Sequence, residues 1–296
     1  MGLARTTSSV HNLDFCMIKS VLVCLEGSAS SEAAVRVALA IAKECEAAMT
    51  GLAIVDEPDI RSGSATSIGA SSYKHERDET LVANAHKDAL AWVAVFRRKC
   101  QFAGIPSQSM EVVGKPVASI VTEMQHHDLT VIGRDANFRY STQAEDAQTR
   151  EAILHRAPRP ILIVPENAPA GGLSRTVLIA YDGSGAARRA MLSFAGSGLA
   201  RSRDVHVATV DEMGDLAWRM ANRGVQILRE VGIHATLHNL VSPLPNADAL
   251  FEHGKKLKAG LMVMGAFSRS RLAEFFTQSA TRSLVEKSVI PLYMQH

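Results

Sequence analysis

Glycine and proline are scarce, together about a tenth of the 296 residues. With 47 % hydrophobic and 21 % charged residues, that scarcity excludes a disordered or collagen-like chain and leaves one able to bury a core. Cysteine is scarce as well: Cys16, Cys24, Cys45 and Cys100 all fall in the first half, none in a CxxC pair. A secreted disulfide framework is denser and more even, so the expected compartment is the reducing cytoplasm. Cys24, inside an apolar run, reads as a small buried hydrophobe. No excess of one charge exists either, because 32 Lys and Arg face 30 Asp and Glu. Duplex binding calls for a basic surplus, so nucleic acid is disfavoured as a partner. No stretch approaches the ~20 uninterrupted apolar residues of a membrane helix. The opening MGLARTTSSVHNLDFCMIKS lacks the apolar core of a secretory signal, and residues 1–18 read as a short tail.

Catalytic signatures are missing too. There is no G-x-S-x-G elbow, HExxH metal site or Walker A loop. His126-His127 stands at the end of an expected helix. Neighbouring helical residues point about 100° apart, so the pair reads as a solvated helix end rather than as metal ligands. Met213, Met220, Met262 and Met264 read as core filler. No carboxylate pair at a useful spacing stands out from the solvated helical faces.

What the chain does have is repetition. Val21-Leu-Val-Cys-Leu-Glu-Gly-Ser28 matches Val177-Leu-Ile-Ala-Tyr-Asp-Gly-Ser184, and Leu52-Ala-Ile-Val-Asp-Glu57 matches Val207-Ala-Thr-Val-Asp-Glu212. Leu129-Thr-Val-Ile-Gly133 answers Leu261-Met-Val-Met-Gly265, and Pro160-Ile-Leu-Ile-Val164 answers Pro291-Leu-Tyr-Met-Gln295. Four matches in one order mark an internal duplication. The offset is 155 at Val55 and Val210 but 132 at Gly133 and Gly265. The first copy is therefore 23 residues longer between its second and fourth strands. The Ser/Gly-rich stretch Asp59 to Lys74 is the expected site of the extra length, as a mobile loop leading into a helix over Glu79–Phe102. The first copy occupies 19–166, a Pro/Gly-bearing linker 167–174, and the second copy 175–296.

Each copy alternates strands and helices. The strands are apolar on both faces (VLIAY, VHVATV, LMVMG), which predicts parallel sheets covered by helices. The expected fold is α/β: two tandem Rossmann-like domains, each a five-stranded parallel sheet, packed as an intramolecular pseudo-dimer. The last strands of the copies, Ile161–Val164 and Leu292–Gln295, are expected to pair across the joint and so protect their edges. In this architecture ligands lie beyond the carboxyl ends of the strands.

Asp182-Gly183-Ser184-Gly185-Ala-Ala-Arg188 follows a strand, and Asp211 ends the next, which invites a dinucleotide reading. Arg188 in place of the third glycine and Asp182 beside a diphosphate count against it. A tight turn with Ser184 or Asp182 capping the helix explains the same residues.

After the fourth strand of the second copy comes Gly265-Ala-Phe-Ser268-Arg-Ser-Arg-Leu-Ala-Glu-Phe-Phe-Thr-Gln278-Ser279-Ala280-Thr281. Here the chain resembles the universal stress protein family, over both copies, as a tandem two-domain member. ATP-binding members carry a Gly, two residues, a Gly, nine residues, then Gly-Ser or Gly-Thr. Gly265 keeps the first position, Ser268 and Gln278 replace the other glycines, and Ser279 keeps the hydroxyl. Glycines let backbone amides approach phosphate oxygens at a helix N-terminus. The resemblance implies a nucleotide site from Ala180, Tyr181, Asp182, Val210, Met264, Gly265, Ser268, Ser279, Ala280 and Thr281, holding ATP with magnesium or another adenine nucleotide. In the first copy Glu26 and Val55 take the places of Asp182 and Val210, and Asp135 brings negative charge where a phosphate would lie. No ATP is expected there. The resemblance implies a non-enzymatic cytoplasmic stress-response protein acting through protein partners and leaves further homodimerisation open. The alternative is an interaction module with both pockets vestigial. A slow nucleotide hydrolase would need a base and a metal ligand that the sequence does not place.

Overall fold

The computed structural model describes residues 16–62, 71–138, 148–169, 171–212, 214–266 and 278–296. In the first half the elements run β1 (Ser20–Leu25), α1 (Ala29–Cys45), β2 (Ala48–Val55), α2 (Glu57–Ser62), α3 (Ser71–Ala103), β3 (Ser107–Val113), α4 (Pro116–Met124), β4 (Leu129–Gly133), α5 (Gln148–Arg156) and β5 (Ile161–Val164). The second half runs β6 (Thr176–Ala180), α6 (Gly185–Gly196), β7 (Asp204–Val210), α7 (Gly214–Glu230), β8 (Ala235–Leu240), α8 (Asn246–Leu257), β9 (Leu261–Gly265), α9 (Gln278–Lys287) and β10 (Leu292–Gln295).

The strands form one sheet in the order β3-β2-β1-β4-β5-β10-β9-β6-β7-β8. Pairing within each half is parallel. The halves meet where β5 and β10 pair antiparallel, Tyr293 opposite Leu162, as the duplicated edge strands lead one to expect. Because β1, β4, β6 and β9 are buried along their length, helices must cover both faces. α1, α3, α6 and α7 lie over one core, and α4, α5, α8 and α9 over the other. Strand order reverses between β1 and β4 and again between β6 and β9, which sets a crevice at the carboxyl end of each half.

Several sequence expectations are corrected. The Asp59–Lys74 segment is not one loop. Asp56 Oδ1 accepts the Asp59 N–H at 3.1 Å and Ile60 is buried, so its start belongs to α2, while its last residues open α3; residues 63–70 lie outside the described residues. α3 starts eight residues before Glu79 because its polar first turns show no apolar period, and an i,i+4 contact, His75 to Glu79 at 3.0 Å, joins them. His127 is not solvated: the chain turns straight into β4, burying it against Glu123 at 3.3 Å, while His126 is exposed. Cys24 is fully buried and its thiol is pushed up to about 12 by burial. Cys16 and Cys45, however, are joined as a disulfide, brought together where α1 ends beside the incoming chain. The end of the expected tail is thereby built into the fold, since Ile18 is buried and Met17 N donates to Ser197 O at 2.9 Å.

Two histidine clusters hold outer elements to the sheet and titrate in opposite senses. His86 of α3 bridges Glu111 of β3 and, at 3.1 Å, Glu57 of α2. Hydrogen bonds to Glu111 and Glu57 raise its pKa above the ordinary 6.5. Its contribution to stability is therefore complete below pH 6.5 and fades as pH rises through the folded value. His206, His238 and His253 stack on β7, β8 and α8. Burial lowers the pKa of His238 and His253, with His206 adding repulsion. His238 and His253 therefore cost stability as pH falls below 6.5. In melting curves from pH 5 to 8, His86→Gln is expected to lose stability mainly on the acid side. His253→Gln is expected to lessen the acid loss, and no change in either slope would contradict both assignments.

Candidate functional site

In the second half, β6 delivers the chain to the sheet edge and Gly183 turns it at φ +77. Ser184 then caps α6, accepting the Ala187 N–H at 3.1 Å. Asp182 Oδ1 accepts the Ser184 N–H at 2.9 Å. The Asp182 and Ser184 pair thus performs the turn-and-cap role read from the sequence. Asp182 Oδ2 remains buried with no hydrogen-bond partner. A buried acceptor left unmade costs about 1–3 kcal/mol, so a donor brought to this oxygen would be stabilising.

The other sequence-derived residues divide in two. Ala180, Tyr181 and Met264 are core side chains. Tyr181 N donates to Ala208 O at 2.9 Å, and Tyr181 O accepts the Thr209 hydroxyl at 2.5 Å. Thr209, which the sequence reading passed over, therefore fixes the strand end beside Asp182. Val210 ends β7 and is nearly buried. Gly265 ends β9 under the first turn of α6, where an added Cβ would lie 2.4 Å from Ala187 N and 2.5 Å from the Ala186 carbonyl carbon. Close helix approach thus demands this glycine whatever it also does for a ligand. Ser268 lies outside the described residues. Ser279, Ala280 and Thr281 fall in the first turn of α9, which the same crevice faces by topology.

The corresponding acid in the first half is satisfied by its own chain. Glu26 accepts the Ser28 hydroxyl and N–H bonds from Ser28 and Asn137, while burial, with the nearby Asp135 charge, pushes its carboxyl above the usual range. The loop after β4 folds inward, burying Ala136 and Phe138, the latter at φ +55. Asp135 is taken by Arg134 at 2.9 Å, and Arg134 also donates to Ser288 O of the second half at 2.9 Å. Gly133 repeats the role of Gly265, with a Cβ position 2.7 Å from Ser31 N. A cavity of about 590 Å³ does open beyond Asp56 and Lys115, but its charged lining is mixed: Asp56 and Asp59 against Lys115 and Arg156. The two copies therefore differ at the equivalent acid: Glu26 is satisfied and Asp182 is half unmade.

The sequence model described as the Universal stress protein family matches residues 17–165. A universal stress protein of Synechocystis sp. is 24 % identical over 210 residues, 70 % of this chain and 71 % of that protein. A crystal structure of a universal stress protein from Archaeoglobus fulgidus superposes with a TM-score of 0.68 at 18 % identity, covering 93 % of this chain and 97 % of that one. A functionally unknown protein from Pseudomonas aeruginosa superposes at 0.56 with 14 % identity, over 94 % and 92 % of the two chains.

Proposed function

Because this chain belongs to the universal stress protein family, we propose that its second half holds an adenine nucleotide at the carboxyl ends of β6, β7 and β9, and that it acts by binding, without turnover. The unmade acceptor at Asp182 Oδ2 carries this reading. A carboxylate oxygen lacking a donor suits the hydroxyl and amino hydrogens that a ribose and an adenine carry, and it repels phosphate. Val210 supplies the apolar wall that an adenine face needs. The phosphates, with their magnesium, fall to the N-terminus of α9. The first half takes no nucleotide, because Glu26 has its donors within the chain and Phe138 is folded into the core.

The test is a thermal-shift titration of the full chain with ATP, ADP and AMP, with and without magnesium. A ligand at 100 times its dissociation constant adds about 2.7 kcal/mol, a shift of several degrees for a chain of this size. The shift is expected to vanish in Asp182→Ala and to survive in Glu26→Ala. No shift at millimolar nucleotide would leave the interaction-module reading in its place. Phosphate release above blank would overturn the non-enzymatic half of the proposal.

A further inference from the structure

The four cysteines take two different roles. Cys24 and Cys100 are free and buried, and burial pushes both thiols above their ordinary range. A buried neutral thiol is inert. Cys16 and Cys45 are instead joined, with Cα atoms 5.1 Å apart. Their accessibility is unequal, since Cys45 is 2 % exposed while Cys16 is only half-buried. A small thiol or disulfide therefore meets the pair at Cys16 Sγ. That sulfur lies 3.0 Å from Ser197 O. In the disulfide no S–H remains and this is a plain contact, whereas a free thiol has an acceptor there. Both oxidation states thus have a place for the Cys16 sulfur.

The bond stands where the two copies meet. Cys45 ends α1, and Lys19 Nζ donates to its carbonyl oxygen at 3.1 Å. Beside it, Glu44 accepts from Arg203 Nη1 and Nη2, each at 2.7 Å, and from Ser202 at 3.2 Å. Both partners belong to the second half. Met17 N donates to Ser197 O at 2.9 Å, at the C-cap of α6. The segment Cys16–Lys19 is thereby held between the end of α1 and the second copy. Of its four residues only Ile18 lies in the core, so apolar burial holds the segment weakly and the covalent tie matters.

We propose that Cys16 and Cys45 form a reversible redox latch, which fastens this segment across the joint when oxidised and loosens it when reduced. The oxidant is a small disulfide such as glutathione disulfide. The Cys16 thiolate attacks one of its sulfurs and expels a glutathione thiolate. The Cys45 thiolate then attacks Cys16 Sγ and expels the second glutathione. Two electrons pass from the cysteine pair to glutathione disulfide, and the two thiol protons end on the two glutathiones. Reduction runs the same steps backwards, again entering at Cys16.

The experiment equilibrates the full chain in glutathione buffers from fully reduced to fully oxidised, then quenches with acid. Free thiols are counted by alkylation and mass spectrometry after denaturation. The count is expected to fall from four to two across the series, and to return when the ratio is reversed. Trypsin cleavage after Lys19 should be at least about fivefold slower in the oxidised form. The oxidised form should also melt several degrees higher. Cys16→Ser, which cannot close the bond, should behave as the reduced form at every ratio. If that variant fails to fold, the wild-type series decides by itself. Two free thiols throughout would make the bond a permanent brace and overturn the proposal, as would four throughout. A count that switches while proteolysis and melting stay constant would overturn it too, because the pair would then fasten nothing.

Discussion

Tyr293→Ala is expected to destabilise the chain by about 3–5 kcal/mol, lowering the melting temperature by roughly 10 °C. Tyr293 stands in β10, at the centre of the ten-stranded sheet, with β9 on one side and β5 on the other. Its ring is buried and meets Phe194 edge-on at 5.5 Å between centroids. Truncation opens a cavity that neighbouring elements cannot fill, because both flanking strands are fixed by hydrogen bonds. The hydroxyl pairs with Ser193 at 2.9 Å, so Tyr293→Phe should cost only about 1 kcal/mol. The joint between the copies is at stake in both variants. Differential scanning calorimetry checks the point, and a loss in Tyr293→Ala no larger than in Tyr293→Phe would contradict it.

Gly265→Val is expected to cost about 3 kcal/mol and to abolish the nucleotide response in the same protein. The reason is steric and local. The Cβ position sits against the Ala186–Ala187 backbone, so α6 must lift away from β9. That movement carries Ser184 and the Asp182 turn with it. Gly133→Val should destabilise by a similar amount in the first half, where the Cβ position meets the Ser30–Ser31 turn, without affecting nucleotide binding. Gly196→Ala is the control. A Cβ there meets nothing within 4 Å, and in the last helical position alanine should be neutral or stabilising by up to about 1 kcal/mol. Equal effects of Gly265→Val and Gly196→Ala on the melting temperature would refute the close-approach account.

The first, second, fourth and last strands of each copy were legible because each carries an apolar run that the duplication repeats, whereas β3 (SQSMEVV) and β8 (ATLHNL) are polar enough to give no such signal. The pairing of Ile161–Val164 with Leu292–Gln295 was legible because two duplicated edge strands need cover. Tertiary facts were not legible. Gly265 looks like a phosphate-loop remnant in the sequence, and only the packing of α6, some 80 residues earlier in the chain, shows its structural necessity. The first turns of α3 escaped notice because SSYKHERD has no apolar period. Cys16 and Cys45 are separated by 29 positions, a spacing with no signature of its own, and Glu44 and Arg203 lie in different copies. At the site, sequence pattern identified Asp182 as the acid after the first strand of its copy. It carried no information that one oxygen would be capped and the other left without a donor, nor that Glu26 would be satisfied by its own loop.

That asymmetry is the centre of the account, and calorimetry of the full chain with ATP and magnesium tests it most directly. The expected result is one site per chain, lost in Asp182→Ala and kept in Glu26→Ala. Two sites per chain, or a site that survives Asp182→Ala and disappears in Glu26→Ala, would contradict it.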